Sequence, residues 1–339
     1  MLRNLLLFLI VATGWTSACI SQPTHAYKYF RVGSNTDAAG APRAGFALMG
    51  GGADLDEAFR WLCDHAGGGD LLVLRATGDD DYNPYFQKLC DLNSVATLVI
   101  GSKAAAEDPF VAHAIRSASA LFVSGGDQAN YVNFWADTPV QTELNADLER
   151  GVPIGGTSAG LAVLGEYAYS AQGDKPDDSN LDGKMAMSDP FSSRVTVVKS
   201  FIHIPLLAGI ITDTHFARRD RMGRLLAFLA RLNQPGGEGV SDRVQDVRGI
   251  GVEERAAVLV DADGKGHVIG HGAAYFIACP HARVTLLKGQ PLTYGPYSVR
   301  KVTPGHTFNL KQWAGDGAQY TLSVTAGAIK STEAGGSVY

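Results

Sequence analysis

Ser158 lies at the centre of Gly156-Thr157-Ser158-Ala159-Gly160, a G-x-S-x-G pentapeptide. A short apolar run, Val152 to Gly155, precedes it, and a second begins at Ala159. This order predicts a nucleophile elbow, a sharp strand-to-helix turn that exposes the serine hydroxyl while small neighbours let the backbone bend. A helix starting at Ala159 leaves the Ala159 N–H without an intrahelical acceptor, free to face a developing oxyanion. The plainer alternative is a glycine-rich turn and nothing more.

A serine hydroxyl is a weak nucleophile at neutral pH and needs a base within hydrogen-bond reach. His215 is preferred because it closes the apolar run Gly209-Ile210-Ile211-Thr212-Asp213-Thr214-His215, as Ser158 closes its own strand. His203, between Ile202 and Ile204, reads as a buried, satisfied histidine in a strand interior. His65, His113, His267, His271, His281 and His306 fall in helical, loop or C-terminal contexts. The base in turn needs an acid to hold its tautomer. Glu253 and Glu254, after Gly249-Ile250-Gly251-Val252, are candidates, and Asp213 is the local competitor. An oxyanion hole would take N–H groups from Ala159 and from Gly125 or Gly126. Arg218, Arg219, Arg221 and Arg224 follow the base. They are either a solvated helix face or a clamp on a substrate carboxylate, which guanidinium groups bind bidentately. Their place directly after His215 favours the clamp.

Apolar runs at residues 44–50, 70–75, 96–101, 120–124 and 152–155 alternate with helical segments at 54–66, 82–92, 109–118, 130–135 and 139–151. Asp54 is the expected cap of the first helix. Nearly continuous apolar strands between helices predict an α/β fold, a mostly parallel sheet covered by helices on both faces. Ligands in such sheets sit beyond the carboxyl ends of the strands. The glycine loops 50–52, 125–126 and 155–160 all fall there. The first lacks the G-x-G-x-x-G spacing of a dinucleotide site. Residues 27–43 read as irregular, and 173–193 as a polar excursion whose Asp174, Asp177, Asp178 and Asp182 form a solvated loop rather than a calcium loop. A helix is expected from Phe216 through Arg231, and a frayed end over 333–339.

The 339 residues, 45% hydrophobic, are ample for a large core, and the net charge of −5 implies no general affinity for nucleic acid. Arg3, the apolar run Leu5 to Thr13, and small residues at Ser17 and Ala18 have the layout of a secretory signal, with cleavage expected after Ala18 or Ala26. Cys19 could accept a membrane lipid anchor, although Thr16 stands where such sites usually carry leucine. The expected organisation is a signal at 1–26, an α/β serine-hydrolase domain at 27–282, and a small β appendage with tail at 283–339. In an exported chain Cys63 and Cys90 are the better disulfide candidates, leaving Cys279 as a buried apolar residue; the spacings do not suggest zinc.

Taken as an ordered set, five motifs resemble the cyanophycinase-type serine peptidases, relatives of aspartyl dipeptidases with a class I glutamine-amidotransferase-like fold. They are Leu48-Met49-Gly50-Gly51-Gly52-Ala53-Asp54; Ser124-Gly125-Gly126-Asp127-Gln128; the serine pentapeptide; Asp213-Thr214-His215-Phe216 with Arg219, Arg221 and Arg224; and Gly249-Ile250-Gly251-Val252-Glu253-Glu254. The resemblance implies Ser158 as nucleophile, His215 as base and Glu254 as the third member. It implies that Gln128, Asp213 and the three arginines hold a β-aspartyl-arginine unit. It implies cleavage of the isopeptide-type bond of cyanophycin without metal or organic cofactor. Expected partners are the β-aspartyl substrate and a second copy of the chain. Two departures bear on the substrate side: Thr214 stands where the family usually has glutamine, and the segment from Ser158 to His215 is long. An α/β-hydrolase esterase would order its triad serine, acid, histidine, whereas here the glutamates follow His215. An inactive secreted binding protein on the same scaffold is the non-enzyme alternative.

Overall fold

A computed structural model of the chain describes residues 26–175, 180–234, 246–279 and 286–339. The expected leader with Cys19, Asp177 and Asp178 of the polar excursion, and His281 lie outside the described residues.

Strands in chain order are β1 (Lys28–Gly33), β2 (Gly45–Met49), β3 (Asp70–Arg75), β4 (Ser94–Val99), β5 (Ala120–Val123), β6 (Ile154–Thr157), β7 (Tyr167–Tyr169), β8 (Val197–Lys199) and β9 (Ile210–Asp213). They continue as β10 (Arg248–Val252), β11 (Ala256–Asp261), β12 (Lys265–Gly270), β13 (Ala274–Ala278), β14 (Tyr294–Val302), β15 (Thr307–Asn309), β16 (Ala314–Gly315), β17 (Ala318–Thr325) and β18 (Ala328–Ser331). The fold is α/β as expected, but the strands form two mixed sheets. The first runs β1-β4-β3-β5-β6-β2-β11-β12-β15-β16 and the second β18-β17-β14-β13-β10-β9-β7-β8. Parallel pairing is confined to β4-β3-β5-β6-β2 in the first sheet and to β10-β9-β7 in the second.

The apolar runs explain the layering. Side chains alternate across a strand. Leu48, Leu72 and Leu74 enter one core while Ala47, Met49, Leu71 and Val73 enter another. The second of these cores is closed by Phe59 and Leu62 of helix Asp56–Ala66 and Phe86 of helix Tyr82–Leu89. The first is closed by helices Pro109–Arg116 and Pro139–Glu149 and by Ile250, Val252 and Phe276 of the second sheet. Helix Met222–Asn233 packs Leu225, Phe228 and Leu229 onto that sheet's far face.

One turn carries the chain from the second sheet back to the first. After β10 the chain bends through Glu253, Glu254 and Arg255, the last at φ 57°, and runs back into the first sheet as β11. Backbone bonds stitch the two sheets there: His215 N–H donates to Gly50 O (2.8 Å) and Arg255 N–H to Gly51 O (2.9 Å). Strands in residues 286–331 extend both sheets, β14 pairing with β13 and β15 with β12.

Four local expectations are corrected. Residues 28–33 form an edge strand rather than irregular chain, pairing antiparallel with β4. The helix after His215 begins at Met222, not Phe216, because His215 (φ 46°) and Asp220 (φ 47°) adopt left-handed backbone that a helix cannot contain. Leu55, not Asp54, stands at the first helix's cap, and the Asp54 carboxyl meets Tyr82 instead. Near the chain end, Tyr339 packs edge-on against Phe216 and Tyr275, and its hydroxyl accepts from the Met222 N–H (2.8 Å).

Candidate active site

All five motifs supply residues just past the carboxyl ends of parallel strands. Ser158 follows β6, Ser124 to Gly126 follow β5, and Gly50 to Gly52 follow β2, all in the first sheet. His215 follows β9, and Glu253 and Glu254 follow β10, in the second. The site therefore stands at the seam between sheets rather than on one rim.

The elbow has the expected geometry. Ser158 is held at φ 52°, ψ −118°, a conformation strained for a residue with a Cβ, and it opens the short helix Ala159–Ala162. The turn needs glycine after it: a Cβ on Gly160 would stand 2.0 Å from Val123 O. The Ala159 N–H has no intrahelical acceptor, as the first residue of its helix.

Ser158 Oγ lies 2.7 Å from His215 Nε2, and His215 Nδ1 lies 2.6 Å from Glu254 Oε1. With the Nδ1 proton donated to the carboxylate, Nε2 is left to accept from the hydroxyl. His215 is 6% exposed. Burial lowers its pKa from the ordinary 6.5; the Glu254 hydrogen bond opposes this, and the charges of Arg219 and Arg221 lower it further. The imidazole is thereby kept neutral, the form that accepts a proton.

The acids left open by the sequence separate by their partners. Glu253 accepts from Tyr275 Oη (2.7 Å) and Ala273 N–H (2.9 Å), anchoring the turn. Asp213, 2% exposed, accepts from Arg224 Nε (2.7 Å) and Nη2 (2.5 Å), with Arg221 Nη1 at 3.7 Å. Only Glu254 meets His215. His203 is exposed in a loop rather than buried in a strand, and its N–H donates to Asn145 Oδ1 (2.7 Å).

Beside Ser158 opens a cavity of about 510 Å³ that Gln128, Arg219, Arg221 and Arg224 line. The arginines are not equivalent. Arg224 is spent on Asp213 and Leu181 O (2.9 Å) and lies over the Tyr169 ring at 4.9 Å. Arg221 donates from Nη1 to Thr214 O (3.0 Å) and Oγ1 (3.1 Å), but its buried Nε has no partner among the described residues. Burial, then the neighbouring Arg224 charge, pulls its pKa down to about 9. Arg219, in the turn before the helix, has no side-chain hydrogen bond among the described residues. A buried cation with an unused donor beside a second cation favours an anionic ligand. Asp213 does not line the cavity; it holds the arginines in place. Among the described residues no group of three or more His, Cys, Asp or Glu is placed to hold a metal ion.

Sequence reasoning placed the Gly50–Gly52 loop at the sheet edge but not its task. Gly51, at φ 91°, lies against the reacting pair: a Cβ there would stand 2.6 Å from His215 Cε1 and 3.2 Å from Ser158 Cβ. A run of three glycines after the first buried strand was the signal. Nothing in the sequence marked Thr214 as an acceptor for Arg221.

Comparison with known proteins points to a peptidase. A model of peptidase family S51 matches residues 75–188. Cyanophycinase of Geminocystis herdmanii (strain PCC 6308) is 27% identical over 245 residues, covering 69% of this chain and 75% of that protein. Cyanophycinase of Synechococcus elongatus is 26% identical over 274 residues, covering 77% and 73%. The crystal structure of a peptidase from an acI-B1 Actinobacterium shares the fold, with TM-score 0.52 and 16% identity over 80% of this chain and 98% of that one. The chain is a serine-type peptidase that resembles the cyanophycinases and carries a segment similar to peptidase family S51.

Proposed function

We propose that the protein is an exported peptidase that hydrolyses β-aspartyl bonds, with cyanophycin as substrate and β-Asp-Arg dipeptides as product. The observation that carries the reading is the hydrogen-bonded chain Ser158–His215–Glu254 opening onto an arginine-walled cavity. Ser158 Oγ adds to the scissile carbonyl while His215 Nε2 takes its proton, and Glu254 steadies the resulting imidazolium. His215 returns the proton to the leaving amine, and water then cleaves the acyl-enzyme by the same route. A β-linkage leaves the aspartate α-carboxylate free beside the scissile bond, where an α-peptide has none. Arg219 and the unused Nε of Arg221 are suited to receive it. Substrate identity is carried over from the two cyanophycinases.

Export is supported by the bond between Cys63 and Cys90, since disulfides persist in oxidising compartments. It is also supported by the signal-like N-terminus. Mass spectrometry of the mature protein would report cleavage after Ala18 or Ala26, or a lipid on Cys19.

The decisive measurement is product analysis with cyanophycin, a β-Asp-Arg dipeptide, β-Asp-Leu and an α-Asp peptide, for wild type and Ser158→Ala. Release of β-Asp-Arg from cyanophycin by wild type alone is expected. Undiminished release by Ser158→Ala would rule the mechanism out. Turnover of β-Asp-Leu in preference to cyanophycin would point to an isoaspartyl peptidase of different side-chain specificity, the alternative raised by Thr214.

A further inference from the structure

Tyr131 lies on helix Gln128–Trp135, is 1% exposed, and stacks on Trp135 with ring centroids 4.4 Å apart. Its side chain does not line the cavity, yet it is tied to the loop that does. The phenol donates to Ser124 O at 2.9 Å and stands 3.2 Å from Gly125 O. Ser124 Oγ donates to the same Gly125 carbonyl at 3.1 Å. In a trans peptide the N–H points opposite to the preceding carbonyl. Two successive carbonyls drawn toward one hydroxyl therefore turn the N–H groups of Gly125 and Gly126 to the other side together, as in an anion-binding nest.

That loop borders the nucleophile. A Cβ on Gly125 would stand 3.5 Å from Ser158 Cβ, and Gly126 lines the cavity with Ser158. No internal acceptor takes either N–H among the described residues. A Gly-Gly pair has little intrinsic preference for one peptide orientation, so something outside it must choose. We propose that Tyr131 is a positioning residue for the peptidase reaction. Its hydroxyl, helped by that of Ser124, locks the 124–126 backbone so that the Gly125 and Gly126 N–H groups face the oxyanion formed at Ser158. Burial raises the phenol pKa to about 12, so it stays a donor throughout the working pH range. The role rests on the acyl-enzyme reading above.

Tyr131→Phe keeps the stacked ring and deletes only the donor. With a β-aspartyl dipeptide, kcat is expected to fall about 10- to 100-fold, less than complete loss of an oxyanion donor, with KM nearly unchanged. Labelling of Ser158 by a fluorophosphonate, which builds negative charge on the same oxygen, should slow by a similar factor. Affinity for the product, which forms no oxyanion, should be retained, and a merely misfolded variant would lose it. Ser124→Ala should show a smaller loss of the same kind. The double variant should lose less than the product of the two single losses, because both donors hold one peptide. If Tyr131→Phe cannot be purified folded, Ser124→Ala carries the same comparison. Wild type and the variants labelling at equal rates with equal kcat, or a loss confined to KM, would overturn the role of Tyr131. A wild type that the probe does not label would overturn the acyl-enzyme reading itself, and the two failures are thereby told apart.

Discussion

His215 shows what one residue asks of its surroundings. It must be neutral to accept a proton, and burial beside two arginines disfavours its charged form while Glu254 opposes the shift. The net direction is downward from 6.5, so the neutral base persists to lower pH than an ordinary histidine would. The acid limb of kcat/KM should therefore titrate below 6.5; a limb above that value would contradict the assignment. The same depressed pKa links to stability. The unfolded chain binds the proton more readily, so this contribution is complete above the unfolded value and fades as pH drops through the folded one. Glu254→Gln keeps the shape but loses the charge that steadies the imidazolium, and kcat should fall by about 10²–10⁴. Gly51→Ala tests steric fit at the same scale. Its Cβ would press on the imidazole from 2.6 Å in a left-handed conformation, so activity should collapse while the chain still folds. Thermal melting beside the kinetic assay would verify the second half.

At the scale of elements, the turn and helix after β9 carry two kinds of arginine. Arg224 and Asp213 form a buried bidentate pair, each no more than 3% exposed. Removing one member strands the other, so Arg224→Ala should destabilise by about 3–5 kcal/mol. Arg219 has no such partner. Arg219→Ala should leave the melting temperature near wild type and raise KM for β-aspartyl substrates several-fold. Equal melting temperatures for the two variants would mean that the arginines were wrongly divided. The separation was not legible in the spacing. Positions 221 and 224 suggest neighbours on a helix face, but the helix begins at 222, and of the arginines lining the cavity it is Arg224 that meets both oxygens of Asp213.

For the whole molecule, the question is what keeps two sheets in register at their seam. The Cys63–Cys90 bond ties helix Asp56–Ala66 to the end of helix Tyr82–Leu89, far in sequence from the serine and on the opposite core. By chain entropy its loop, with a sequence separation of 27, contributes about 3.5 kcal/mol. Reduction should therefore lower the unfolding midpoint without altering kcat at a temperature where the protein stays folded. Loss of kcat in step with reduction, before any unfolding, would show that the bond reaches the site. The C-terminal strands are a stronger support. Because β14 pairs with β13 and carries β17 and β18 beyond it, deleting residues 283–339 should expose the β13 edge and produce an aggregating chain rather than a smaller active one. Light scattering and soluble yield would measure this.

Much of the site was readable one residue at a time. A G-x-S-x-G elbow, a histidine closing an apolar strand and a glutamate pair after another are local patterns, and strand period together with helix spacing was enough for the α/β class. Those signals depend on neighbours along the chain. Which of Glu253, Glu254 and Asp213 would meet the imidazole depended on a contact across 39 residues of chain for Glu254, on Tyr275 and Ala273 for Glu253, and on a competing arginine for Asp213. The split into two sheets was likewise hidden, since an apolar run reads the same in either one. The folded arrangement alone decided these matters, because a carboxylate's role follows from which cation or donor reaches it first in space.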